Sequence, residues 1–297
     1  MTARPLRHAA GLLAVVALVS TAVPARAQQV AFSRREYAAT GTTYQQVWML
    51  DVATGKIRQL TKSNRDHNLP ECTADGKEVV FDAGDVLLNR HSAWSLNIGT
   101  GVEAQTTTSQ KSLFHRRDAI QIGGAQCEEP VASADGKRVA CVLNRDLEVL
   151  DAGTRAELQR LTFTGTDSTG APYAVPPGGA GPGRVPATDI RWARDGRQVL
   201  VGVYGENSGS TAHASDYFIA DLAAKTWRKA MSGNDAIWLP DGKSILYTTM
   251  RDLTPLPAPA SAHSVWTQHL MSFDVASGKS TALTSGVTND VSPALCQ

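Results

Sequence analysis

Short runs of apolar and β-branched residues recur along this chain, and the same turn opens four of them. They are Val79-Val80-Phe81, Val139-Ala140-Cys141-Val142-Leu143, Val199-Leu200-Val201 and Ile245-Leu246-Tyr247. The turns before them are Asp75-Gly76-Lys77, Asp135-Gly136-Lys137, Asp195-Gly196-Arg197 and Asp241-Gly242-Lys243. Asp-Gly before such a run is a strong hairpin signal, so each copy is expected to join two antiparallel strands. A second short strand follows, ending at Asp51, Asn97, Asp151, Asp221 or Asp274 and usually passing into a small or Gly-containing turn such as Asp51-Val52-Ala53-Thr54-Gly55. A last strand closes the unit at Gln59-Leu60-Thr61, Arg160-Leu161-Thr162 or Ala282-Leu283-Thr284. Four-stranded units with Asp and Gly turns, repeating every 40 to 50 residues or roughly so, predict an all-β chain folded as a β-propeller, in which each blade needs its neighbours to bury its faces.

The frame extends upstream of the turn, at Pro70-Glu71-Cys72, Pro130-Val131-Ala132, Ile190-Arg191-Trp192 and Ala236-Ile237-Trp238. Together with Asp-Gly-Lys, the apolar strand, Asp-x-x-Thr-Gly and the closing Leu-Thr, this pattern resembles the WD40-like repeat of the TolB-like β-propellers, and it covers nearly all of residues 28–297. The first unit lacks its inner strand, because Val30-Ala31-Phe32 begins directly as the second. Val291-Ser292-Pro293-Ala294-Leu295 sets Pro293 where Pro70 and Pro130 stand, so the C-terminal strand is expected to join the N-terminal blade and close the ring. Closure of that kind removes free sheet edges. The count is then five blades. A sixth stays open, since residues 108–125 and 163–187 are long enough to hold a degenerate one, although they are short or rich in the Gly and Pro that central strands exclude.

Composition adds one compact domain and removes one class of partner. A hydrophobic content of 42% suffices for a single all-β core over residues 28–297. Residues 1–27 read as a signal peptide: Arg4, Arg7 and His8 precede the apolar run from Ala9 to Val19, and Ala25-Arg26-Ala27 fits the small-x-small cleavage pattern. The run falls short of the ~20 residues of a spanning helix, so no transmembrane anchor is expected after cleavage. The protein is expected in the periplasm or outside the cell. Without the leader, 26 Lys and Arg face 28 Asp and Glu, a balance that argues against nucleic-acid binding.

Export makes Cys72, Cys127, Cys141 and Cys296 disulfide candidates, with three possible connectivities. A regular ladder beside the Asp135-Gly136 turn sets Cys141 opposite Pro130 and puts Cys127 on the other face, which argues against that pair. Cys72 and Cys296 fall on inner strands of neighbouring blades and are a possible pair; buried free thiols are the alternative.

Strand alternation places the short Asp-Gly and Thr-Gly turns on one end of the propeller. Every long connection emerges at the other: 36–45, 84–91, 109–125, 163–186, 205–215 and 250–262. Binding residues concentrate on loops carried by a rigid scaffold, so the loop-rich end is the expected interaction surface. Its candidate contacts are Arg90 and His91 with Phe114, His115, Arg116 and Arg117, a mixture of aromatic and arginine typical of binding hot spots. Tyr37, Tyr44 and Tyr173 are further contacts on that side, and a solvated basic loop is the plain structural alternative. His67 and Asp290 occupy equivalent places near the channel mouth and are candidates for a metal or polar ligand.

No Gly-x-Ser-x-Gly elbow, Cys-x-x-Cys or His-x-x-x-His spacing supports hydrolase, redox or zinc chemistry, and no cofactor is expected. The TolB resemblance implies an exported scaffold that docks an envelope protein, and a monomer is expected. The propeller starts almost immediately after the leader, without the additional N-terminal domain of TolB proper, so a direct Tol-system role is not implied. The alternative is a propeller that binds a carbohydrate or small ligand, or acts on it as a lyase or hydrolase, at the channel mouth.

Overall fold

The computed structural model describes residues 28–37, 43–85, 90–106, 120–122, 125–143, 146–163, 187–204, 215–249, 251–256 and 264–296. They form strands and turns, with no helix among them. The first unit contains β1 (Gln29–Glu36), β2 (Gln46–Asp51) and β3 (Ile57–Gln59), and the second β4 (His67–Cys72), β5 (Glu78–Asp85), β6 (Arg90–Asn97) and β7 (Glu103–Gln105). The third contains β8 (Ile120–Ile122), β9 (Ala125–Ala132), β10 (Arg138–Leu143), β11 (Asp146–Asp151) and β12 (Glu157–Thr162). β13 (Ala187–Trp192), β14 (Gln198–Tyr204), β15 (Ser215–Asp221) and the first half of β16 (Thr226–Trp238) make the fourth. The fifth takes the second half of β16 with β17 (Ser244–Thr248), carries the side hairpin β18 (Asp252–Pro255) and β19 (Ser264–Thr267), and ends with β20 (Leu270–Asp274) and β21 (Lys279–Ala282). β22 (Thr288–Cys296) returns to pair antiparallel with β1 and supplies the inner strand that the first unit lacks. The described residues thus form five four-stranded units. β8 is an added strand on the inner edge of the third, not the start of a sixth.

The repeat motifs have clear local causes. Each Asp-Gly sits in a four-residue connection, as between Thr73 and Glu78, where Gly76 takes φ 68° and Asp75 Oδ1 accepts the Lys77 amide at 3.1 Å. Asp135, Asp195 and Asp241 accept the amides of Lys137, Arg197 and Lys243 in the same way, at 3.1, 2.9 and 2.8 Å. The residue ending each third strand caps its own turn: Asp51, Asn97 and Asp151 accept the amides of Thr54, Thr100 and Thr154 at 2.9, 2.9 and 2.8 Å. These short side-chain bonds are what favour Asp and Asn in turns. The closing Leu-Thr also has a role, because the Thr61 and Thr284 hydroxyls accept the amides of Val47 and Leu270, each at 2.9 Å, where the outer strand stops pairing.

The inner strands depart from a regular ladder. Each carries a bulge, between Asn68 and Glu71, Glu128 and Val131, Ala187 and Asp189, Asn234 and Ile237, and Val291 and Ala294. Three bulges place a non-glycine residue at positive φ: Leu69 at 53°, Asp235 at 52° and Ser292 at 53°. The extra residue overturns the expectation for the nearest cysteine pair. Val139 stands opposite Ala132 as the turn predicts, but beyond Ala140 two residues of β9 oppose the single residue Cys141, and Val142 faces Glu128. That one-residue shift brings Cys127 to the face of Cys141. The two are joined, with Cα atoms 5.5 Å apart, and Cys72 is joined to Cys296 with Cα atoms 5.1 Å apart.

Apolar clusters bridge neighbouring units. Val30, Phe32 and Leu50 of the first pack with Leu239, Leu246 and Leu270 of the fifth. Val47 and Met49 meet Val79, Phe81 and Leu96 of the second, Leu147 and Val149 of the third meet Val199 and Phe218 of the fourth, and Ile219 of the fourth meets Ile245 and Phe273 of the fifth. Cys127, Cys141, Leu143 and Leu150 cluster within the third unit, and among the described residues no apolar cluster spans the second and third. The inner strands touch successively in the order β4, β22, β16, β13, β9 around a common axis. Inner-strand tryptophans reinforce two of these joints. Trp192 Nε1 donates to the Val131 carbonyl at 2.8 Å, and Trp238 Nε1 to the Arg191 carbonyl at 3.2 Å, the same repeat position one unit back.

Candidate functional site

Charged side chains gather where the inner strands begin, at the end of the axis from which the long connections emerge. Arg34, near the end of β1, grips Asp290 of β22 with both nitrogens, Nε to Oδ1 at 2.7 Å and Nη2 to Oδ2 at 2.9 Å. Both are buried, and the guanidinium also lies 5.2 Å from the centre of the Trp48 ring. Next to it, Arg35 Nη2 donates to Asp66 Oδ2 at 2.9 Å, and Asp66 Oδ1 accepts the Gln45 amide at 2.7 Å. In the fourth unit Arg191 pairs with Asp189 at 2.9 Å. The buried Tyr217 hydroxyl donates to Asp189 Oδ2 at 3.3 Å and accepts the Ala236 amide at 3.3 Å. Burial, then the charge of Asp189, pushes the Tyr217 phenol far above its ordinary value.

Asp235 differs from these. It lies in the bulge as an exposed residue lined by the neighbouring inner strands, its Oδ2 accepts the Ser292 amide at 3.0 Å, and among the described residues it forms no ion pair. The protein packed around the axis raises its carboxyl above the usual carboxylate range, against the Ser292 amide and then the charges of Arg191 and Arg251. The collar therefore contains internally neutralised pairs and one exposed carboxyl of its own.

The residues expected from the sequence are dispersed over this end. His67 is fully buried at the start of β4, its ring 4.8 Å from that of Phe81 and its Nε2 2.9 Å from Ser63 Oγ. Nδ1 has no hydrogen-bond partner among the described residues. Burial, then the charge of Arg65, pushes the imidazole down to about 4, so it is neutral at physiological pH. Asp290 is committed to Arg34, and among the described residues no group of three or more His, Cys, Asp and Glu is placed to hold a metal ion. His91 stands opposite Gly84 with Nδ1 3.4 Å from Asp82 Oδ1, and Arg90 begins β6 opposite Asp85. Phe114, His115, Arg116 and Arg117 lie outside the described residues, as does Tyr173; partial burial raises the Tyr37 phenol above its ordinary value, against the charges of Arg35 and Arg251, and Tyr44 is exposed.

Asp189, Asp235 and Ser292 were missed by reasoning from motifs, yet a signal for them exists. Aligning the units on Pro70, Pro130, Ile190, Ala236 and Pro293 puts Leu69, Glu129, Asp189, Asp235 and Ser292 in one column, within or next to the bulge of each inner strand.

Fold and site together define a β-propeller of four-stranded units with a charged collar at its loop-bearing end. No protein-family model matches the chain, and no curated protein matches its sequence. Among solved structures it is similar in fold to TolB from Acinetobacter baumannii, at 16% identity and a TM-score of 0.49, over 91% of this chain and 66% of that one, just under two thirds of its length. It is also similar to a Bacteroides fragilis protein provisionally described as a 6-phosphogluconolactonase, at 12% identity and a TM-score of 0.46, covering 91% of this chain and 98% of that one. A provisionally described TolB from Agrobacterium tumefaciens aligns at 11% identity and a TM-score of 0.44, over 89% and 90% of the two chains. Among the described residues no helix is long and apolar enough to cross a membrane.

Proposed function

We propose that the protein is an exported propeller of the cell envelope that docks a partner protein on its loop-bearing end. The observation that carries this reading is the asymmetry of the two ends. One is closed by tight turns whose Asp and Asn side chains bond their own backbones. From the other emerge the long connections, with Tyr44, Leu253 and Trp266 exposed among them and the charged collar beneath. A rigid scaffold that presents varied loops on one end is suited to recognition. Location in the periplasm or outside the cell rests on the leader read at residues 1–27.

The test is crosslinking of the tagged mature protein in its native envelope, followed by mass spectrometry. A reproducible partner is expected, lost when residues 114–117 become alanine or when Leu253 and Trp266 become aspartate, and kept when Val102, exposed at the opposite end, becomes aspartate. Capture of no partner above background, or of one indifferent to these changes, overturns the reading. A second reading puts a carbohydrate or other small ligand at the axis, favoured by the exposed Asp235 carboxyl, which forms no ion pair among the described residues. Glycan binding abolished by Asp235→Asn would select it.

A further inference from the structure

The joints between units are not all made the same way. In the fourth and fifth units the inner strand ends in a tryptophan that donates a hydrogen bond to the inner strand of the unit before it. Cys72 holds that repeat position in the second unit, three residues before its Asp-Gly turn as Trp192 and Trp238 are before theirs. It reaches the inner strand of the first unit through its bond to Cys296 of β22. One joint is thus covalent and chemically reversible.

β22 also supplies two groups of the collar, the Asp290 carboxylate and the Ser292 amide. It pairs with β1, lies against β4, and touches β16, β17 and β19 of the fifth unit. Its pairing with β1 is interrupted by the bulge between Val291 and Ala294. On one side of that bulge Asp290 is clamped by Arg34; on the other the strand ends at the disulfide. The Ser292 amide, within the bulge, is the donor that holds Asp235.

The two disulfides differ in access. Cys127 and Cys141 are both 0% exposed within the third unit, whereas Cys72 is only partly buried and Cys296 retains 6% exposure. Thiol–disulfide exchange requires a thiolate to approach one sulfur along the S–S axis, so access decides which bond exchanges first.

We infer that the Cys72–Cys296 bond is a redox latch on β22, opened by a dithiol reductant while the Cys127–Cys141 bond stays closed. A thiolate of the dithiol attacks Cys72 Sγ, and Cys296 leaves as the thiolate and takes up a proton. The second thiolate of the reductant then attacks the mixed disulfide, releasing the Cys72 thiol and leaving the reductant as a disulfide. Two electrons and two protons pass to the protein. With the latch open, residues 291–296 loosen, Asp235 loses its amide donor, and the joint between the first and second units relaxes. Asp290 stays fixed by Arg34, so the change is confined to one half of the strand. The loop-bearing end is thereby coupled to the thiol poise of its compartment, a control that does not depend on the identity of its partner.

The folded mature protein, titrated with dithiothreitol and trapped with iodoacetamide, provides the test. Peptide mapping is expected to show Cys72 and Cys296 alkylated at reductant concentrations that leave Cys127 and Cys141 joined. Hydrogen exchange at residues 291–296 is expected to rise at least tenfold, while the amides of residues 288–290 keep their protection. Unreduced Cys72→Ser/Cys296→Ser protein is expected to show the same exchange pattern as the reduced wild type. Reduction of both disulfides together, unchanged exchange at 291–296, or cooperative unfolding of the whole chain on opening Cys72–Cys296 overturns the inference.

Discussion

His67 shows how much one residue's environment changes its chemistry. In the sequence it is a histidine near an inner strand; in the fold it is buried against Phe81 with one ring nitrogen unpartnered among the described residues. Its folded value of about 4 lies below the 6.5 of an unperturbed imidazole, so between those values the unfolded chain binds more protons than the native one. Its contribution to stability is therefore complete above pH 6.5 and is lost as pH falls toward 4, by roughly 3 kcal/mol in all. Urea midpoints of wild type and His67→Gln, measured from pH 8 to pH 4, are expected to differ in slope over that window and to run parallel above it. Equal slopes would mean that the imidazole is protonated in the native state. Arg155 and Lys225, at φ 61° and 55°, show the same dependence on context: they occupy the left-handed turn position that Gly55, Gly101 and Gly278 fill in other units, and the repeat imposes it on them.

At the scale of the element, the repeat motifs proved readable because each answers a local demand. Asp caps a turn, Gly supplies a positive φ, Thr takes the last amide of a strand. The bulges were not readable, since nothing in Glu128-Glu129-Pro130-Val131 marks where the ladder gains a residue, and so the face of Cys127 came out reversed. β8 and the β18–β19 hairpin were also missed, hidden in segments that read as loops. Trp192 and Trp238 were read as parts of a repeat motif; the fold gives them a function as inter-unit hydrogen-bond donors. Trp238→Phe keeps an aromatic ring while removing the donor to the Arg191 carbonyl. It is expected to cost about 1–2 kcal/mol in chemical denaturation. A change within experimental error would show that packing alone holds this joint.

For the whole molecule, the buried Arg34–Asp290 pair ties the first described strand to the last, 256 residues apart. Removing one partner strands a buried charge, so Arg34→Ala is expected to lower stability by about 3–5 kcal/mol. The double variant Arg34→Met/Asp290→Leu removes both charges and is expected to recover most of that loss in urea unfolding. Recovery by less than a quarter would show that the pair specifies the seating of β22 and does more than neutralise itself.

The sequence by itself determined the repeat, the turns and the return of β22 to β1, because these follow from periodic patterns and short-range hydrogen bonding that each unit carries within itself. It also marked one end of the propeller as the end with long connections, since strand alternation alone settles that. Only the tertiary structure decided which charges meet. Arg34 finds Asp290, Arg191 finds Asp189, and the Ser292 amide finds Asp235 because bulged inner strands from different units converge on one axis. A one-residue bulge changes the face of every side chain beyond it, and the pairing of distant charges and cysteines depends on where such bulges fall.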